Sequence, residues 1–123
     1  MGLDVYAVRS PELGLSEEDE QAFEEAGIEL CGGIYSGDPG SFRGKVYDML
    51  ILDLTGMSLY QVWIPPETVR EMAEALQRVD PETFEKEMAG NYSWEDYSAH
   101  TIVHLQKFFD VCARRGLGLA GSW

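Results

Sequence analysis

The stretch SWEDYSAHTIVHLQKFFDVCARRG at residues 93–116, followed by LGLAGSW at 117–123, decides the fold class. Trp94, Thr101, Leu105, Phe108 and Cys112 recur at helical spacing and predict one apolar face. Ser93 and Asp96 have the spacing of a capping box, with Tyr92 and Tyr97 placed as its hydrophobic staple. Arg114 and Arg115 stand where the helix dipole favours cations, and Gly116 is the stop. The short apolar run Leu117–Trp123 then predicts a closing strand. A long amphipathic helix that returns directly into a strand points to helices packed on a sheet.

The upstream sequence agrees with that plan. Leu3–Val8 alternates as a strand, with Asp4 its one departure. Ser16 caps a thin acidic helix over Glu17–Ala26, with Asp19 at the third helical position and Gly27 as the stop. Ile28–Tyr35 reads as a strand interrupted by Gly32 and Gly33, and residues 36–44 as a glycine-rich loop. Phe42, Val46, Leu50 and Leu54, each four apart, predict a helix ending at Gly56, with a buried strand over Met49–Leu52 as the alternative. Ser58–Ile64 reads as a strand. Pro65 and Pro66 end it and open a helix whose stripe is Val69, Met72, Ala73, Leu76 and Val79. Asp80 and Pro81 start a shorter helix with Phe84 and Met88 inward and Gly90 as its stop. The expectation is a single α+β domain over residues 1–123. It has a small mixed or antiparallel sheet of about four strands, with roughly three to five helices packed on it.

Charge is the most uneven property of the chain: 22 carboxylates face 9 Lys and Arg, a net charge of -13. Ten of the acids but only one base, Arg9, lie in residues 1–38. Such a field repels nucleic acid and anionic membranes and steers basic partners inward. With 45% apolar residues the chain can build a core without metals or disulfides. No apolar run approaches a membrane span. Met1–Asp4 has neither a basic n-region nor an apolar h-region, so no signal peptide is expected and the location reads as cytoplasmic. Cys31 and Cys112 lack CxxC spacing and are expected as free thiols packed as small hydrophobes.

Few residues carry chemistry. His100 and His104 lie four apart on the long helix with Asp96 one turn earlier, a spacing that places three metal donors along one face. Asp96 already serves the predicted cap, and no HExxH signature is present. The histidines flank the apolar stripe, so no metal and no cofactor is expected. Arg43, Lys45 and Tyr47 surround a predicted helix start after Gly40, where backbone N–H groups favour anions. The GxxxGK spacing is one residue short of a P-loop, and Val46 stands where Ser or Thr would hold magnesium. The plainer reading pairs Arg43 and Lys45 with Asp38, Asp48 or another nearby acid. Tyr35, Phe42, Tyr47, Tyr60, Trp63, Tyr92, Trp94 and Tyr97 are candidates for a pocket or interface as well as for the core. No Ser/His/Asp or Cys/His arrangement is present.

Met1–Val8, Ser41–Tyr47 and Ser58–Glu67 resemble segments of a set of small bacterial proteins of unknown function. The second half resembles the YfbM-like family in layout: a helix like Val69–Val79, a short acidic helix, a long helix like Leu105–Gly116 and a closing apolar strand. Neither resemblance implies catalytic residues. The function expected is therefore a non-enzymatic, inhibitory or toxin-neutralising type of module that docks on a basic protein surface. Glu17, Glu18, Glu24 and Glu25 are its candidate interface. The alternative is a small-molecule or metal-dependent enzyme using a groove near Arg43, Lys45, His100 and His104. A homodimer is a third reading.

Overall fold

The computed structural model describes residues 2–32, 40–88 and 98–123. In chain order they form β1 (Asp4–Val8), α1 (Glu17–Ala26), β2 (Ser41–Arg43), α2 (Gly44–Thr55), β3 (Trp63–Ile64), α3 (Pro66–Gln77), α4 (Pro81–Met88), α5 (Ala99–Arg115) and β4 (Gly118–Ser122). The four strands make one antiparallel sheet in the order β2-β1-β4-β3. This is a single-domain α+β fold, as the helix-to-strand return at the C-terminus predicts.

Alternation on β1 sends Val5 and Ala7 into the core and leaves Asp4 and Tyr6 exposed. Asp4 is therefore no misfit, since it lies opposite Arg43 and Ser122 on the outer side of the sheet. α5 runs through the centre. Its Phe108 lies 5.0 Å from Phe23 of α1 and 4.8 Å from Phe42 of β2, ring centre to ring centre. Leu105, Phe109, Val111 and Cys112 are also fully buried. Gln106 Nε2 donates to the Leu76 and Val79 carbonyls, which ties α5 to the C-terminal end of α3. α3 opens on Pro65 and Pro66 and buries Val69, Met72, Ala73 and Leu76, the stripe read from sequence. In α4, Phe84 is buried. The side chain of Met88, and Gly90, lie outside what the structure describes.

Four expectations need correction. Residues 28–32 form no strand. There the Cys31 carbonyl accepts from the Arg43 N–H at 2.7 Å, and the Glu29 N–H goes to a side chain. Residues 33–35 lie outside the described residues. Residues 41–43 are a strand, not part of a loop, because Phe42 reaches the core from β2 and the helix begins only at Gly44. The four-residue spacing of Phe42 from Val46 belongs to a strand end meeting a helix start. Of Ser58–Ile64 only Trp63 and Ile64 pair with β4. Asp48 Oδ1 accepts from Ser58 Oγ at 3.0 Å and from the Leu59 N–H at 2.6 Å, so a side chain replaces the ladder there. Finally, α5 is capped by Ser98, whose extended backbone starts the helix and whose Oγ accepts from the Thr101 N–H at 3.3 Å. The expected cap at Ser93 with Asp96, Tyr92 and Tyr97, and also Trp94, lies outside the described residues.

Candidate functional site

α1 forms as its sequence requires. Ser16 Oγ accepts from the Asp19 N–H at 3.2 Å and Asp19 Oδ2 accepts from the Ser16 N–H at 3.0 Å, a complete capping box, and Gly27 closes the helix at φ 64°. At 100° per residue, Glu17, Glu18, Glu20, Glu24 and Glu25 cover a contiguous outer arc of roughly 160°. All five are exposed, including the four expected as interface. Asp19 and Phe23 occupy the opposite side and are buried.

Asp19 is the acid that the sequence placed only as a cap. Its side chain is 0% exposed and receives Arg9 Nε at 2.8 Å, Arg9 Nη2 at 2.9 Å and, from 96 residues away, Arg115 Nε at 2.5 Å. Burial pushes its carboxyl up, but the bonds from Arg115, Ser16 and Arg9 together outweigh burial and hold it at about 2. The consequence for the surface is electrostatic. The only base in residues 1–38 and the arginine at the end of α5 are both engaged by Asp19. Their further reach to the glutamates is a long contact of Arg115 Nη2 with Glu18 at 3.8 Å.

The histidines acquire a third neighbour that no helical spacing could indicate. Glu29, on the connector after α1, meets His100 and His104, and one donor atom from each lies within 4.8 Å of the others. Asp96, the third donor expected from sequence, lies outside the described residues. The donor set does not suit a metal. His104 is buried, and its Nδ1 accepts from the Glu29 N–H at 3.0 Å. A neutral ring accepting at Nδ1 carries its proton on Nε2, so neither nitrogen offers a lone pair. Metal-bound histidines have the reverse arrangement, donating through the second nitrogen. Burial, then the nearby His100 and Lys107, lower the pKa of His104, against a smaller opposing effect of Glu29. His100 and Glu29 are both about three-fifths exposed and approach at 3.4 Å, at the surface.

Arg43, Lys45 and Tyr47 do not converge. Tyr47 is buried and its hydroxyl accepts from the Cys31 N–H at 2.8 Å, so it holds the connector rather than a ligand. Arg43 and Lys45 are exposed and make no ion pair among the described residues. Asp48, their expected partner, is engaged by Ser58 and Leu59, and Asp38 lies outside the described residues. The first amide of α2, on Gly44, donates to the Leu3 carbonyl at 2.8 Å. Both thiols are free, but only Cys112 is packed in the core, where burial raises its pKa; Cys31 is exposed.

Among the aromatic candidates, Phe42 and Tyr47 are core, and Tyr60 meets Trp123 edge to face at the surface with ring centres 5.6 Å apart. Trp63 lies over Gly118, where a Cβ would collide with its ring. Tyr35, Tyr92, Trp94 and Tyr97 lie outside the described residues. No helix among the described residues is long and apolar enough to cross a membrane. No family model, curated protein or solved structure matches this chain.

Proposed function

We propose that this chain is a non-enzymatic binding module whose acidic α1 docks on a basic protein surface. One observation carries the reading: five glutamates form the outer arc of α1, while Arg9 and Arg115, the cations placed to neutralise them, converge on buried Asp19. The helix thus presents concentrated negative charge on a rigid, doubly capped scaffold. Charge of this kind accelerates encounter with a basic partner more than it tightens the final complex. The competing reading, a small-molecule or metal-dependent enzyme at Arg43, Lys45, His100 and His104, gains Glu29 as a neighbour. It is weakened by the tautomer that the Glu29 N–H imposes on His104.

The test begins with capture of partners from the native host. The association rate of the captured protein is then measured with wild type and with the variant Glu17→Lys, Glu18→Lys, Glu24→Lys, Glu25→Lys. The rate is expected to fall more than about tenfold in the variant. Salt is expected to slow the wild type steeply, since screening acts within about 8 Å at physiological ionic strength. A variant that associates as fast as wild type refutes the docking role of α1.

A further inference from the structure

A groove of about 490 Å³ lies between α3 and α5, and none of its lining residues belongs to α1. Its floor includes Ala73 and Ala113, whose small side chains leave the space open. Three of the chain's nine cationic side chains rim it: Arg70, Arg78 and Arg114. Arg70 and Arg78 are exposed and make no ion pair among the described residues, although 22 acids are present in the chain. Glu74, one helical turn from each, pairs with neither. Asp110 is bound to Arg114 Nε at 2.9 Å, which leaves the remaining guanidinium donors of Arg114 for another acceptor. The groove therefore has a small positive excess on a strongly negative protein.

The geometry points to a binding site for a small ligand that presents an oxyanion, phosphate or carboxylate, to the arginines and rests an apolar body on the alanine floor. Planar guanidinium forks match the two oxygens of either group, and only a cation-lined site can hold an anion against the field of the whole chain. Nucleic acid is too extended a polyanion to escape that field. The site does not depend on the docking role of α1.

Inorganic phosphate, phenyl phosphate and benzoate are titrated into the protein at constant ionic strength, with backbone amide shifts as the readout. Saturable shifts on residues 70–78 and 110–114 are expected. Phenyl phosphate against benzoate identifies the headgroup, and phenyl phosphate binding more tightly than inorganic phosphate identifies the apolar floor. Arg70→Gln and Arg78→Gln are each expected to weaken binding by about tenfold. Arg43→Gln, which removes an arginine outside the groove, is expected to leave binding unchanged. Shifts that do not saturate for any of the three probes, or that survive both groove substitutions, overturn the assignment.

Discussion

Replacing Asp19 by Asn tests whether the charge of one buried carboxylate joins the two ends of the chain. Asn retains an oxygen to accept from the Ser16 N–H, so the cap is largely kept while the charge is lost. Arg115, 28% exposed, and Arg9, 43% exposed, then face a neutral partner. The carboxyl moves from an ordinary value of 3.8 to about 2 in the folded chain. That difference contributes on the order of 2 kcal/mol of stability. The sign follows from the lowered pKa: the contribution is complete above 3.8 and is lost as pH falls through the interval down to about 2. Breaking a fully buried pair costs about 3–5 kcal/mol, and the partial exposure of both arginines places this case below that range. Urea unfolding of wild type and Asp19→Asn at about pH 6 and about pH 2.5 is the assay. The variant is expected to be less stable by about 2 kcal/mol at the higher pH and by much less at the lower. An equal difference at both pH values would refute the argument, because the loss would then owe nothing to the charge.

Ser98→Ala is expected to cost about 1 kcal/mol through the lost cap of α5, read as a lower denaturation midpoint. An unmoved midpoint would place the helix start elsewhere. His104 is expected to titrate below ordinary histidine, with nitrogen shifts showing Nδ1 unprotonated in the neutral ring. Because its folded pKa is lowered, its contribution is full above about 6.5 and declines as pH falls below that value. Dialysis against zinc is expected to leave no stoichiometric metal; an equivalent lost in a His100→Ala, His104→Ala variant would show that the Glu29 amide yields. Gly118→Ala sets a Cβ against the Trp63 ring and 2.6 Å from the Ile64 carbonyl oxygen, and is expected to cost about 1–3 kcal/mol in the same unfolding assay.

The candidate sites were legible in unequal degree. The outer glutamates of α1 follow from spacing along one helix, and their exposure needed no tertiary information. The His100–His104 pair was equally visible, since the two lie one turn apart. Its third neighbour was not. Glu29 reaches His104 across 75 residues, and no local pattern marks such a pair. Spacing along the same helix points instead to Asp96. Tyr47 illustrates the opposite error: an aromatic near cations reads as a ligand contact, while its hydroxyl accepts from the Cys31 N–H of the connector after α1. The groove between α3 and α5 has no sequence signature, because its arginines come from two helices that meet only through packing.

Short-range physics determined α1, α3, the end of α5 and β1 from sequence alone. A capping box, a proline opening, a glycine in the left-handed region and an alternating strand each act within a few residues. The fold class followed, since an amphipathic helix running into an apolar strand must bury both on a common core. Tertiary structure decided what depended on distant partners. β2 is a strand because β1 offers its backbone an antiparallel ladder, whereas at residues 58–62 side chains take backbone donors instead: Asp48 the Leu59 N–H and Ser58 Oγ the Tyr60 N–H. Asp19 is a buried ion-pair centre because α5 delivers Arg115 to the start of α1. Where the two elements joined by a bond lie far apart in the chain, only the packed fold can set which partner satisfies each polar group.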